Sequence, residues 1–144
     1  NPSQGGSALG DFMDIEITET FDCVIASHVL EHQLNVGAFL KKVHTILREG
    51  GLLAISVPPA KPHIVGGHVT NWNAGLLLYN LVLAGFDCSR PWVRRYEHNI
   101  SVVIEKRSID LQGLHYDSGD IDRIRAFLPD GLGEGFNGDI DFLG

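Results

Sequence analysis

Two continuous apolar runs on either side of an amphipathic segment constrain the fold of this chain most strongly. Residues 21–27 (FDCVIAS) and 52–57 (LLAISV) lack the alternation of half-exposed strands, which is typical of strands covered on both faces in a parallel sheet. Between them, apolar residues recur at helical spacing over 36–47. Asn35 is the predicted N-cap, and the Gly-Gly pair at 50–51 is predicted to end the helix. This order predicts a right-handed βαβ unit.

The next segments predict a second helix and a hairpin. After a loop at 58–69, Thr70 is predicted to cap an apolar helix that ends at Gly85. Residues 92–98 and 99–106 resemble two strands joined tightly around His98 and Asn99, hence antiparallel. The predicted fold class is therefore α/β, with parallel strands, a C-terminal antiparallel hairpin and flanking helices.

The length of 144 residues corresponds to one domain, which composition divides into three parts. Residues 1–20 form an acidic N-terminal segment, 21–107 the α/β domain, and 108–144 an acidic, Gly-rich tail. A short helix is predicted at 118–128, where Pro129 ends it. We expect the last stretch, 130–144, to be disordered, or alternatively to form a strap over the sheet.

Charge and composition exclude several classes of partner. The chain has 18 acids against 11 bases and a net charge of −7. Such a surface repels phosphate backbones, so no nucleic-acid partner is expected.

The cysteine content and the longest apolar stretch bear on the location of the protein. Only Cys23 and Cys88 occur, which favours a reducing cytoplasm over a disulfide framework. The longest apolar stretch, 76–84, is shorter than the roughly 18 residues that span a bilayer, and residues 1–7 lack the features of a signal peptide. We therefore expect a cytoplasmic location and no membrane partner.

The segments FDCVIASHVLEH at 21–32 and LREGGLLAISVP at 47–58 resemble class I S-adenosylmethionine-dependent methyltransferases of the small-molecule type. The resemblance covers roughly residues 10–107 and corresponds to the C-terminal half of that family's Rossmann-like sheet. It implies S-adenosylmethionine as cofactor and methyl transfer to a small-molecule acceptor. The family's Gly-rich cofactor turn is absent, since no G-x-G-x-x-G precedes residue 21. The expected fold is thus a truncated Rossmann-like methyltransferase sheet.

The resemblance also implies cofactor-binding residues. Asp11 and Phe12 match the family's segment in which an acid accepts from the adenine amino group and the next backbone N–H reaches a ring nitrogen. Ser27 and His28 lie at the carboxyl end of a strand, where the family places the methionine part of the cofactor and the acceptor. The alternative for Asp11 is that it is simply one of five solvated acids near the N-terminus.

The turn after residue 27 suggests a metal site. Quinone-type O-methyltransferases, which it resembles, present an acid-x-x-Glu-His set for a divalent metal, so His28, Glu31 and His32 are candidate ligands, with His28 in place of the acid. The alternative is that Glu31 and His32 satisfy backbone groups at the turn. The same residues match the H-x-x-E-H signature of zinc peptidases, which makes a metal hydrolase a further hypothesis.

Histidines supply the candidate proton acceptors. His28, at the end of the first strand, and His68, in the loop where the family places part of its acceptor pocket, are the predicted catalytic residues. His63 lies in the same loop. The alternative for the loop histidines is plain exposure to solvent.

Two function classes follow from the resemblance. The first is a methyltransferase that acts alone or with a partner; the second is a shortened, non-catalytic member that serves as a binding or assembly module. In the family's sheet the absent first strand lies beside residues 21–27, so an apolar edge would be exposed. We therefore expect a cover: residues 1–18, the C-terminal tail, or the same strand of a second subunit in a homodimer.

Overall fold

The computed structural model describes residues 9–144, which form a five-stranded sheet with two main helices. The strands are β1 (Phe21–Ser27), β2 (Leu47–Val57), β3 (Trp92–Tyr96), β4 (Asn99–Glu105) and β5 (Phe142–Leu143). The α-helices are α1 (Val36–Ile46), α2 (Ala74–Leu83) and the short α3 (Asp120–Arg123). Two 3₁₀ turns lie at Leu30–His32 and Arg125–Phe127.

The strand order is β1-β2-β4-β3-β5. β1 and β2 are parallel, whereas β4 pairs antiparallel with both β2 and β3. The α/β class, the parallel pair and the terminal hairpin are thereby confirmed. Asn35 caps α1 as predicted, since its Oδ1 accepts from the backbone N–H of Ala38 at 3.0 Å.

One face of the sheet carries the hydrophobic core. Alternate residues of each strand point to α1 and α2, such as Ala26 on β1 and Ile55 on β2, which are paired in register and buried. On the other face Ile25 is 75% exposed and Leu52 is 48% exposed. Among residues 9–144, no helix covers that second face of β1 and β2.

The Gly-Gly pair does not end α1, so that prediction was wrong. The helix ends at Ile46, and Leu47 already begins β2. Gly50 has a φ of +75°, at a bulge where the register between β1 and β2 shifts. A Cβ on Gly51 would lie 2.9 Å from the carbonyl oxygen of Asp22. The pair therefore allows β1 and β2 to approach closely.

The structure places the start of α2 and the hairpin turn at other residues than predicted. Asn73, not Thr70, caps α2, because Asn73 Oδ1 accepts from the backbone N–H of Leu76 at 2.7 Å. Thr70 instead donates to the carbonyl oxygen of Leu30 at 3.2 Å and so fastens the loop to the 3₁₀ turn. The hairpin turns at residues 97–98, and Asn99 already pairs with Tyr96.

The C-terminal segment is a strap, and the expectation of disorder was wrong. β5 pairs antiparallel with β3, and Leu132 and Ile140 are buried. The helix predicted at 118–128 is confined to α3 and the 3₁₀ turn after it. The tail carries enough apolar side chains to pack against the domain despite its acidic, Gly-rich composition.

The edge of β1 stays open within residues 9–144. β1 pairs only with β2, and β5 lies at the opposite edge of the sheet. The C-terminal tail is therefore not the cover of β1, and residues 9–18 do not pair with it either. Residues 1–8, the rest of that predicted cover, lie outside the described part.

No helix in the described part has the length and apolarity to cross a membrane.

Candidate active site

Polar side chains gather at the carboxyl ends of β1 and β2. Ser27 pairs with Ser56, and the backbone N–H of His28 donates to the carbonyl oxygen of Ser56 at 2.9 Å. β1 then runs into the 3₁₀ turn, and β2 into the loop that leads to α2. Because β1 and β2 are parallel, both of these connections leave from the same end of the sheet.

Glu31 lies at the centre of this cluster. Its side chain is 1% exposed, and Oε1 lies 3.2 Å from Nδ1 of His28 and 3.7 Å from Nε2 of His32. Its Oε2 is buried and has no hydrogen-bond partner among the described residues. A buried carboxylate oxygen without a partner is costly, which favours a ligand or ion at this point.

Both ring nitrogens of His28 face polar side-chain atoms. Nδ1 faces Glu31, and Nε2 lies 2.7 Å from Oδ1 of Asn99, the first residue of β4. Its backbone adopts a left-handed φ of +53°, which is uncommon for a residue with a Cβ. The sequence prediction missed Asn99, because the hairpin turn was placed upon it and only the strand order brings it beside His28.

His32 and His68 complete the cluster. Nδ1 of His32 donates to the carbonyl oxygen of Gly67 at 2.8 Å, which leaves Nε2 directed toward Glu31. The rings of His32 and His68 meet edge to face, with their centroids 5.1 Å apart. One ligand atom each from Glu31, His32 and His68 lies within 4.8 Å of the others.

The donor set of this Glu31–His32–His68 cluster fits a divalent metal. Two imidazoles and a carboxylate are typical zinc ligands, and a histidine ligand usually donates its second N–H to a carbonyl, as His32 does. Of the predicted ligands, Glu31 and His32 belong to this cluster. His68 takes the place predicted for His28, whose ring nitrogens face Glu31 and Asn99.

The predicted cofactor residues at 11–12 lie along α1. Asp11 Oδ1 accepts from the backbone N–H of Met13 at 2.8 Å, and the ring of Phe12 lies 5.2 Å from that of Phe39. Nζ of Lys42 donates to the carbonyl oxygens of Phe12 and Ile15, each at 2.5 Å. Lys42 thus fixes the segment that carries Asp11 against the helix.

Comparisons with known proteins identify the family of this chain. The sequence profile of a family described as "Methyltransferase domain" matches residues 3–105. The chain belongs to this methyltransferase family. It is 42% identical over 85 residues to a ubiquinone biosynthesis O-methyltransferase of Bradyrhizobium diazoefficiens, and 30% identical over 88 residues to the protein of that name from Bradyrhizobium sp.. These matches cover 59% and 61% of this chain but only 28% and 29% of the relatives, so the methyltransferase chain matches less than a third of their length.

Solved structures show the same fold. The N-methyltransferase NodS from Bradyrhizobium japonicum aligns with a TM-score of 0.54 at 17% identity, over 70% of this chain and 59% of that one. A TehB-like SAM-dependent methyltransferase from Corynebacterium glutamicum aligns with a TM-score of 0.51 at 19% identity, over 69% of this chain and 55% of that one. At such identities the likeness establishes the methyltransferase fold alone.

The zinc-peptidase alternative lacks its scaffold in this methyltransferase fold. That signature needs both histidines on one face of a helix. Here His28 precedes a single 3₁₀ turn, Leu30–His32, and bonds Asn99 on another strand. The two histidines therefore do not share a helical face.

His63 is not a member of the cluster, but it lines a cleft together with His68. A cleft of about 170 Å³ in the loop between β2 and α2 is lined by both histidines together with Lys61 and Asn71. His68 thus lies beside both the cleft and Glu31, whereas His63 is exposed and is not one of the three residues of the cluster.

Proposed function

We propose that this methyltransferase domain takes S-adenosylmethionine as donor and methylates an oxygen of a small-molecule acceptor. The observation that carries the proposal is the polar cluster around buried Glu31 at the carboxyl ends of two parallel strands, the end at which open α/β sheets bind ligands. The relatives named ubiquinone biosynthesis O-methyltransferases support an oxygen acceptor.

In this proposal the cofactor lies between the segment on α1 and the end of β1. Asp11 and the backbone N–H of Phe12 bind the adenine, and Ser27 and His28 lie beside the methionine part. The ring of His28 is fixed by its hydrogen bond to Asn99 and by its contact with Glu31, which suits positioning rather than proton removal. Methyl transfer is a displacement at the sulfonium carbon, so alignment of donor and acceptor is the protein's main contribution.

His68 is the proposed proton acceptor. As the acceptor's oxygen bonds to the methyl carbon, its proton passes to the imidazole of His68 and the sulfonium leaves as a neutral thioether. His68 lines the small cleft and is only half-buried, so an acceptor can reach it.

The second role that we propose for these side chains is to bind a divalent metal. The unpartnered Oε2 of Glu31 favours this role. Glu31, His32 and His68 would hold it. When bound, such a metal acts as a Lewis acid that favours ionisation of an acceptor hydroxyl. His68 would then be a ligand and not a base, so the two roles are distinguishable by metal removal.

The test of methyl transfer uses the purified chain, labelled S-adenosylmethionine and catechol as acceptor. We expect labelled ether product, with the rate lowered about a hundredfold in His68→Gln, a typical effect of losing a general base. His115→Gln, which changes an exposed histidine outside both the cleft and the cluster, is the matched control and should retain the rate. Absence of product from the folded chain would favour the non-catalytic binding module.

We also propose that the edge of β1 is covered by the same strand of a second copy. β1 offers unpaired backbone groups along one side and the exposed Ile25 on its open face. Light scattering should give a dimer, and Ile25→Lys should convert it to a monomer. A monomeric unmodified chain would contradict the homodimer.

A further inference from the structure

A cleft away from the candidate active site lies between α2 and the C-terminal segment. Its volume is about 570 Å³, within the roughly 300–1,000 Å³ typical of small-molecule sites. Its floor is the outer side of α2, and its rim is formed by two stretches of the tail, 116–121 and 133–138. Nothing in the proposed methyl transfer uses this cleft.

The walls combine aromatic rings with carboxylates. Tyr79 of α2 and Tyr116 and Phe136 of the tail supply the rings, and Asp117 and Glu134 are the charged residues among the lining. No lysine, arginine or histidine lines this cleft in the described part of the chain. The whole segment 108–144 has eight acids against two arginines, a net charge of −6, which attracts cations.

Buried contacts hold the rim in place. The carboxylate of Asp120, itself 1% exposed, accepts from the backbone N–H of His115 at 2.9 Å and of Tyr116 at 2.6 Å. These bonds fix Tyr116 in a left-handed conformation with a φ of +60°. The backbone N–H of Gly119 donates to Oε2 of Glu134 at 3.4 Å, which links the two stretches of the rim.

The tail also docks tightly on the helix. The backbone N–H of Gly75 donates to the carbonyl oxygen of Gly138 at 2.9 Å. A Cβ on Gly75 would lie 2.7 Å from both Gly138 Cα and Phe136 Cε1. The absence of a side chain at residue 75 therefore sets the width of the cleft at this end.

We propose that this cleft binds a small organic ammonium ion. Aromatic faces attract cations through their quadrupole, and this attraction is strongest where water is partly excluded. Carboxylates add charge attraction, and Arg125, whose guanidinium lies beside Gly133, is not among the lining residues. Burial, with Asp120 and Glu134 nearby, raises the pKa of Tyr79, so its ring stays a neutral phenol over the physiological range. A cleft of about 570 Å³ suits a free small molecule rather than a protein surface.

The test is calorimetric titration of the full chain with choline at low ionic strength, without S-adenosylmethionine. We expect one saturable site, weakened about tenfold by Glu134→Gln and by Tyr79→Leu. Asp122→Asn removes an exposed acid of the same segment that does not line the cleft, and it should bind choline like the unmodified chain. Glu134→Gln preserves shape, so it reports on charge even where Tyr79→Leu disturbs packing.

The neutral isostere 3,3-dimethylbutan-1-ol is the second probe. The proposal requires that it bind at least about tenfold more weakly than choline, since it lacks only the positive charge. Equal binding of the two probes would mean an apolar cleft without cation selectivity and would overturn the proposal. No saturable binding of choline, or equal loss in Asp122→Asn and Glu134→Gln, would overturn it as well.

Discussion

Nε2 of His28 lies 2.7 Å from Oδ1 of Asn99, and this hydrogen bond joins the residue after β1 to the first residue of β4. β2 lies between these two strands, so the bond spans the end of the sheet. The same ring contacts Glu31 through Nδ1. The turn that carries the candidate site is thus tied to the hairpin as well as to its own strand.

Removal of the Asn99 side chain should weaken the attachment of this turn to the hairpin. Asn99→Ala is expected to lower the free energy of unfolding by about 1 kcal/mol, the usual net value of one hydrogen bond, while Asn99→Asp keeps an acceptor and most of the stability. Urea unfolding of both variants, and of His28→Ala with and without Asn99→Ala, measures the coupling. Asn71→Ala, an exposed asparagine, is the control. Strictly additive effects at 28 and 99 would show that the two side chains are not coupled.

Lys42 should hold the segment at 11–15 in place. Its Nζ donates to three carbonyl oxygens, those of Phe12, Met13 and Ile15. Lys42→Met is expected to destabilise the chain by about 2 kcal/mol and to speed amide hydrogen exchange at residues 14 and 15. Lys41→Met changes the neighbouring, exposed lysine and should leave both quantities unchanged. Equal exchange in the two variants would rule out this role of Lys42.

Stability should fall on mild acidification because of His44. Burial, together with the nearby Lys106 ammonium, lowers the pKa of His44 below its usual 6.5. The unfolded chain therefore binds a proton more readily than the folded chain below about pH 6.5, so stability decreases as the pH falls through that window. Hydrogen bonds from Ser108 lower the pKa of Glu49 below its usual 4.5. The stability that this carboxylate contributes is therefore lost only at lower pH.

Thermal unfolding between about pH 7.5 and pH 5.5 measures the effect of His44. His44→Gln should flatten the decline of the melting temperature with falling pH. His98→Gln, at the exposed hairpin turn, should leave it as in the unmodified chain. A melting temperature that rises on acidification, or the same slope in His44→Gln, would contradict the assignment.

Zinc binding should depend on the Glu31–His32–His68 cluster. Calorimetric titration of the chelator-treated chain with Zn²⁺ is expected to show one site, weakened at least about tenfold by Glu31→Gln or His68→Gln. His63→Gln should bind as the unmodified chain does. Equal weakening by His63→Gln and His68→Gln would place the metal elsewhere. Retention of methyl transfer after metal removal would leave His68 as the base.

Much of the fold was predictable because local patterns dominate it. The apolar runs at 21–27 and 52–57 and the helical spacing at 36–47 are strong signals, and they lie where the structure has β1, β2 and α1. The errors arose where long-range contacts decide. The Gly-Gly pair at 50–51 is used for a close approach of β1, and the tail is ordered by packing on α2 and pairing with β3, neither of which local composition reveals.

The candidate site was predictable only in part. The segment from His28 to His32 was found from its motif, since all its members lie in one turn. The partners that fix it come from elsewhere: Asn99 from β4, and His68 and the Gly67 carbonyl from the loop after β2. A single sequence does not show which distant residues are neighbours in space. Only the structure therefore shows that His68, and not His28, belongs to the metal cluster.

Calorimetric titration with S-adenosylhomocysteine, the demethylated product of the donor, tests most directly whether this methyltransferase chain binds the proposed cofactor. We expect saturable heat with a dissociation constant of about 1 mM or tighter, weakened about tenfold in Asp11→Asn. Asp14→Asn, an exposed acid of the same segment, should bind like the unmodified chain. No heat from the folded chain at millimolar ligand, or equal affinity in Asp11→Asn and the unmodified chain, would contradict the account.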